Sequence, residues 1–131
     1  MSDYVSSTSF ADLPLSDELR RGIGDRGYTT PTPVQAAVIG PILAGRDVIC
    51  RSKTGTGKTA AFGIPILERI PGGTRKASAL VLCNTRELAL QVSQELEALA
   101  AHCISSPRRS GTKSSTQICA ECITAFAASL P

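Results

Sequence analysis

The chain has 131 residues, a length that accommodates one domain with a single hydrophobic core. With 42% hydrophobic and 19% charged residues it has a globular composition, and its formal charge of +3 is too small to indicate nucleic-acid binding by itself. The sequence shows no membrane-spanning apolar run and no signal peptide, so we expect a cytoplasmic protein without a membrane partner.

Helix signals come first along the chain. Ser16 is placed to cap a short helix, and Thr32 is placed to cap a second one. In the second helix Pro33 occupies the first helical position, and Gln35 stands where a capping box requires Glu or Gln. Pro41 lacks an amide N–H, and we therefore expect it to end or kink this helix.

Two short apolar runs, residues 47–50 (DVIC) and 79–83 (ALVLC), predict strands buried in a parallel sheet. A helical pattern follows each run. The first helix is predicted to begin at Lys58, and the second directly after Thr85. This alternation predicts right-handed crossovers, with ligands bound beyond the carboxyl ends of the strands. An odd total of five cysteines suits a reducing compartment.

Residues 52–59, between the first strand and its helix, have the pattern of a phosphate-binding loop. Glycines let the backbone approach a polyphosphate, and the N–H groups of the following helix point at it. The general pattern has glycine where this chain has Ser52, and the alternative interpretation is a plain glycine turn. Lys58 is placed for the β- and γ-phosphates and Thr59 for Mg²⁺. The candidate nucleotide-binding residues in this loop are Ser52, Lys53, Thr54, Gly55, Thr56, Gly57, Lys58 and Thr59.

Three segments carry a wider similarity. They are Phe10 with residues 27–35 (GYTTPTPVQ), residues 52–59 (SKTGTGKT) and residues 84–89 (NTRELA). Their order and spacing resemble the Q motif, motif I and motif Ia of DEAD-box ATP-dependent RNA helicases, from about Phe10 to His102. The resemblance also accounts for Ser52, because that family does not require glycine there. Asn84 stands where the family usually has proline.

The resemblance implies an ATP site with Mg²⁺, in which Gln35 binds the edge of adenine and Phe10 stacks on its ring. A side-chain amide offers one kind of donor and one acceptor, which match N6 and N7 of adenine. Two alternatives remain open from the sequence alone. Gln35 is explained by the capping box without any ligand, and Phe10 is explained as a core residue.

The resemblance further implies that Thr85, Arg86 and Glu87 meet the sugar-phosphate backbone of RNA without reading its sequence. Thr85 and the helix N-terminus can donate to phosphate, and Arg86 supplies positive charge. The alternative is that Thr85 only caps the helix and that Arg86 is a solvated residue of the first turn. The sequence indicates no obligate protein partner.

The remaining residues lack the Asp-Glu-Ala-Asp motif of the family, and Glu121 is the only acidic residue after Glu97. We interpret the Ser/Arg-rich stretch after Cys103 as the product of a frameshift or early stop. Translation of the other two reading frames tests this hypothesis, since one of them should encode the motif. The rival hypothesis is a genuine short protein with a metal or redox site at Cys119 and Cys122.

The fold predicted from these patterns is α/β, a partial RecA-like (P-loop) parallel sheet with flanking helices. We divide the chain into an N-terminal tail (1–9), the N-terminal part of an ATP-binding domain (10–102, with the Q motif at 10–38) and an irregular tail (103–131). On this division the 131 residues are expected to contact ATP and RNA, with hydrolysis and unwinding doubtful.

Overall fold

The computed structural model describes residues 8–70, 78–103 and 123–127 of the chain. A short 3₁₀ helix comes first, followed by four α-helices and two strands. In chain order they are the 3₁₀ helix Phe10–Asp12, α1 Asp17–Asp25, α2 Pro33–Leu43, α3 Lys58–Arg69, β1 Ala79–Cys83, α4 Arg86–Leu99 and β2 Ile123–Ala127. No helix among the described residues is long and apolar enough to cross a membrane.

Helix α2 begins as its sequence predicts. The Thr32 hydroxyl accepts a hydrogen bond from the Gln35 amide, and the Gln35 side chain accepts one from the Thr32 amide, so the capping box is complete. Pro33 occupies the first turn, where its missing N–H costs nothing. Pro41 lies inside the helix, which continues to Leu43. The expectation that Pro41 ends α2 is therefore wrong.

Ser16 precedes α1 but its side chain does not cap the helix. Its amide and its hydroxyl both donate to the Glu68 carboxylate on α3, at 3.0 Å each. A long-range carboxylate thus replaces the local cap and joins α1 to α3. The chain leaves α1 through Gly27, whose φ of 74° is in the left-handed region.

The sheet consists of β1 and β2, which pair in parallel with Ala79 opposite Ile123 and Cys83 opposite Ala127. Irregular structure was predicted throughout residues 103–131, and β2 departs from that prediction. Its residues, ITAFA, include β-branched and aromatic types that favour strands, and the edge of β1 offers backbone groups that require partners. The expected metal or redox pair, Cys119 and Cys122, lies outside the described residues.

Residues 47–50 are not a strand, and the prediction that they form a buried one is wrong. Ile49 is fully exposed and Val48 is 38% exposed. A strand exists only where a neighbour pairs with its backbone, and among the described residues no strand does so here. Cys50 is accordingly exposed, whereas Cys83 is buried as expected.

The hydrophobic core lies between the helices and one face of β1. Its fully buried side chains come from all four helices and include Leu19, Ile23, Ile39, Ile64, Leu96 and Leu99. Val81 and Cys83 belong to this cluster or pack against it. The alternate residues of the strand, Leu80 and Leu82, are 64% and 67% exposed. The described helices therefore cover one face of the sheet, where the sequence predicted burial on both.

A polar cluster ties the segment before α2 to α4. The Tyr28 hydroxyl donates to Glu95 Oε1 at 2.6 Å, and Arg26 forms an ion pair with the same carboxylate. The Arg26 guanidinium also lies over the Tyr28 ring, 5.9 Å from its centroid. Partial burial, followed by the contact with Glu95, raises the pKa of Tyr28, so Tyr28 remains a neutral donor at physiological pH. The cluster fixes where the chain enters the capping box at Thr32.

Candidate functional site

The candidate phosphate-binding loop turns sharply just before α3. Gly55 and Gly57 have φ values of 81° and 80°, in the left-handed region that side chains other than glycine rarely adopt. Gly57 is the N-cap of α3, and Lys58 is the first residue of the helix. The first amides of α3 have no intrahelical acceptor, and the helix dipole places partial positive charge at the same end. Both features suit an anion.

Hydrogen bonds within the loop involve the residues that are candidates for phosphate binding. The Lys58 ammonium donates to the Ser52 carbonyl oxygen at 2.6 Å. The Thr56 hydroxyl donates to the Lys53 carbonyl oxygen at 2.8 Å, and the Ser52 and Thr56 hydroxyl oxygens are 2.6 Å apart. In this conformation the Lys58 ammonium is bound to the backbone of the loop itself.

Helix α2 holds the other side of the loop through two backbone carbonyls. The Thr32 hydroxyl donates to Thr56 O at 2.8 Å, and Gln35 Nε2 donates to Gly57 O at 3.1 Å. In a trans peptide the N–H points opposite to the C=O of the same unit. Drawing these two carbonyls toward α2 therefore aims the amides of Gly57 and Lys58 away from it. Thr32 and Gln35 orient the donors of the loop.

Gln35 is 3% exposed, and both ends of its amide have partners. The sequence left open whether it only completes a capping box, and its bond to Gly57 gives it a second role. One Nε2 hydrogen and one Oε1 lone pair are not used by these two bonds. Residue spacing carried no signal for the contact with Gly57, because that contact joins segments that are 22 positions apart.

Phe10 lies in the hydrophobic core and is 5% exposed. Of the two roles considered from the sequence, the described conformation shows the core residue. Stacking on adenine requires one face of the ring to be accessible, so Phe10 would have to move to provide it. The capped 3₁₀ helix Phe10–Asp12, in which Ser9 and Asp12 exchange hydrogen bonds, holds Phe10 in place.

The described residues offer few side chains that could bind Mg²⁺. No group of three or more His, Cys, Asp or Glu side chains within them is arranged to hold a metal ion. Thr59 stands in the first turn of α3, next to Lys58, and is half-buried. A hydroxyl at this place suits a Mg²⁺ ion that is held mainly by phosphate oxygens and water.

The candidate RNA-binding residues lie at the start of α4, directly after β1. Thr85 is the N-cap, and its hydroxyl oxygen accepts from the Leu88 amide at 3.1 Å. The capping role is therefore present, and the hydroxyl hydrogen is still available to a phosphate. Thr85, Arg86 and Glu87 are all exposed. The structure brings them together on one helix end, where backbone donors and Arg86 face solvent.

Gly57→Ala is expected to weaken phosphate binding much more than Gly55→Ala. Both substitutions place alanine at a positive φ, which costs about 1–2 kcal/mol. Only at position 57 would the added Cβ overlap Gln35 Nε2, since Gly55 has nothing within 4 Å. Displacing Gln35 releases Gly57 O and disorients the loop amides. Titration of both variants with a fluorescent adenine nucleotide measures the difference, and equal affinities would contradict it.

Most of the chain matches one known protein family. A family profile described as DEAD/DEAH box helicase matches residues 32–125. The profile match begins after Phe10 and extends beyond Cys103, whereas the similarity in motifs runs from about Phe10 to His102. Two curated relatives are the ATP-dependent RNA helicase DHH1 of Vanderwaltozyma polyspora, 48% identical over 99 residues, and DeaD of Mycobacterium tuberculosis, 50% identical over 93 residues. The alignments cover 76% and 71% of this chain but 20% and 16% of those proteins.

Solved structures give the same result. A DEAD box protein from Methanococcus jannaschii matches with a TM-score of 0.67 and 38% identity, covering 70% of this chain and 25% of that one. The Saccharomyces cerevisiae protein dbp5, solved with gle1 and IP6, matches with a TM-score of 0.71 and 32% identity, covering 73% and 25%. The chain therefore spans about a fifth of the length of the curated relatives and a quarter of the structures it matches.

Proposed function

The chain belongs to the DEAD/DEAH box helicase family, and we propose that its residues form the nucleotide-contacting part of an ATP-dependent RNA helicase. The single observation that carries the proposal is the loop before α3. There Thr32 and Gln35 hold two carbonyls so that the following amides and the helix N-terminus are available to one anion, with Lys58 at the first position of the helix.

The residues fit an adenine nucleotide as ligand. Lys58 and the amides of the loop would hold the phosphates, with Thr59 contributing to Mg²⁺ bound to them. Bound Mg²⁺ neutralises charge on the phosphate oxygens. Gln35, whose amide keeps one donor and one acceptor, would bind the edge of adenine once its buried side chain is uncovered, and this favours ATP over GTP. Phe10 would stack on the base only after leaving the core.

The proposal for these 131 residues is binding without turnover. Hydrolysis of ATP requires an acidic group that positions the attacking water, and further cations that stabilise the transition state. The printed sequence contains no Asp-Glu-Ala-Asp run, and the described residues contain no acidic cluster. Hydrolysis and unwinding, the activities in the names of the relatives, would depend on groups elsewhere in a longer protein.

We also propose RNA as a second ligand. Its contact would be the exposed start of α4, where Thr85, Arg86 and the helix amides can donate to phosphates. Glu87 lies in the same turn and favours the helix N-terminus electrostatically, but it repels phosphate and so limits the affinity. Contacts of this kind are independent of base sequence and weaken with salt.

A cytoplasmic location is part of the same proposal. Cys50 and Cys83 are free thiols, and Cys50 is exposed. Exposed free thiols persist in reducing compartments.

The test is a titration of the full chain with a fluorescent ATP analogue and Mg²⁺, followed by competition with unlabelled ATP and GTP. Paired hydrogen bonds to a base are worth about 1–3 kcal/mol, so ATP is expected to compete about 5- to 150-fold better than GTP. Equal competition would leave a phosphate site without adenine recognition. No binding by folded protein would refute the proposal. Phosphate release measured with and without RNA tests the absence of turnover.

A further inference from the structure

The two halves of the candidate phosphate-binding loop are fastened to each other by side-chain hydroxyls. The Thr56 hydroxyl donates to Lys53 O at 2.8 Å. Ser52 Oγ lies 2.6 Å from Thr56 Oγ1 and 3.5 Å from Lys53 O. A hydroxyl has one hydrogen and that of Thr56 has the shorter path to Lys53 O, so we assign Ser52 as the donor to Thr56. Ser52 thus binds Thr56 while Thr56 binds Lys53. We name this arrangement the Ser52–Thr56 clasp.

The clasp lies beside the contact that occupies Lys58. The Lys58 ammonium is 2.6 Å from Ser52 O, so one residue supplies both the acceptor for the cation and the donor to Thr56. A phosphate has to compete with this carbonyl for the Lys58 ammonium. The clasp holds Ser52 in the position from which its carbonyl reaches Lys58, and so favours the bond within the loop over a bond to phosphate.

The opposite side of the loop is itself anchored. The carbonyl of Thr56 accepts from Thr32, and the next carbonyl, that of Gly57, accepts from Gln35. Through Thr56, the clasp therefore connects Ser52 to helix α2. The general phosphate-loop pattern has glycine at the position of Ser52, and glycine has no hydroxyl with which to form such a bond.

We propose that the Ser52–Thr56 clasp lowers the affinity of this chain for nucleotide by stabilising the conformation in which Lys58 is bound to Ser52 O. A hydrogen bond that exists only in the conformation that does not bind phosphate reduces the fraction of molecules competent to bind. Ser52 is then a determinant of affinity that acts through Lys58 and makes no required contact with the ligand. This inference rests on the function proposed above.

Ser52→Ala removes the clasp and keeps the Ser52 carbonyl. It is expected to tighten binding of a fluorescent ADP analogue with Mg²⁺ about fivefold, the factor that corresponds to about 1 kcal/mol for one hydrogen bond. Ser93→Ala is the matched control, because the Ser93 hydroxyl lies on α4 and donates to Glu97 of the same helix. The control is expected to leave the affinity unchanged.

Thr56→Val removes the same bond from the other side and retains the shape of the residue. It is also expected to tighten binding, and the double variant is expected to gain less than the sum of the two single changes. Affinity that is unchanged or weaker in Ser52→Ala and Thr56→Val, with binding intact in the unmodified chain, would overturn the clasp alone. Absence of binding in all folded variants would overturn the proposed function and the clasp with it.

Discussion

Replacing Lys58 with alanine is expected to weaken adenine-nucleotide binding by about 10- to 100-fold, the loss that follows removal of a hydrogen bond to a charged group. Lys58 is the first residue of α3, and its ammonium has the Ser52 carbonyl as its partner in the described conformation. The side chain is half-buried and its loss opens no cavity in the core. The free energy of unfolding should therefore change little. Fluorescence titration and thermal melting measure the two effects separately.

The matched control is Arg21→Ala, which removes one positive charge from the exposed surface of α1. It separates a local contact from the general attraction of an anion by a chain of formal charge +3. Ser52→Ala gives a sharper comparison. It keeps the carbonyl that accepts from Lys58 but removes the hydroxyl that holds Ser52 in place, so it is expected to tighten binding, whereas Lys58→Ala is expected to weaken it. An affinity of Lys58→Ala equal to that of Arg21→Ala would place the phosphates elsewhere.

The starts of α2 and α4 were predictable because their signals are local, whereas the predicted Ser16 cap of α1 does not form because the Ser16 hydroxyl donates to Glu68. The capping box of Thr32 and Gln35 and the N-cap at Thr85 involve atoms three residues apart, so residue types in sequence specify them almost completely. The glycines of the phosphate loop are similar. Gly55 and Gly57 have the positive φ values that the motif implies, since backbone conformation there depends on the residue type itself.

Strands were harder to predict because a strand is defined by its partner. Residues 47–50 and β1 are both apolar runs, but only β1 has a neighbour that pairs with it among the described residues. The partner of β1 is the run Ile123–Ala127, in a part of the chain where no pattern had indicated a strand. Burial of a strand also depends on what packs against it. Leu80 and Leu82 are apolar, yet they are exposed.

In the candidate site, the sequence motif predicted the phosphate-binding loop, and the structure added the contacts that hold the loop in place. Lys58, Thr59 and the glycines follow from the motif, whereas the bonds from Thr32 to Thr56 O and from Gln35 to Gly57 O depend on how α2 packs beside α3. The role of Phe10 could not be predicted from the sequence. An aromatic residue before α1 is compatible with a ligand or with a core, and only its 5% exposure distinguishes them.

The position of the loop depends in turn on packing between helices that are far apart in sequence. Tyr28 and Arg26 attach the segment before α2 to Glu95 on α4, and Ser16 attaches the start of α1 to Glu68 on α3. Residues on both sides of α1 therefore connect this helix to α3 and α4. At Gly22 the backbone of α1 lies against the backbone of Leu99, the last residue of α4.

Gly22→Ala is expected to lower the free energy of unfolding by about 3 kcal/mol, at the upper end of the cost of overpacking and a large part of a typical domain's stability. An added Cβ would overlap the Leu99 carbonyl oxygen and lie 2.9 Å from its carbonyl carbon. These are backbone atoms at the end of α4, so no side-chain rotation relieves the overlap and the two helices must separate. Gly24→Ala is the matched control in the same helix, because its Cβ would meet nothing within 4 Å, and alanine there should leave stability unchanged or slightly raised. Urea unfolding followed by circular dichroism compares the two variants, and equal midpoints would show that α1 and α4 do not pack through Gly22.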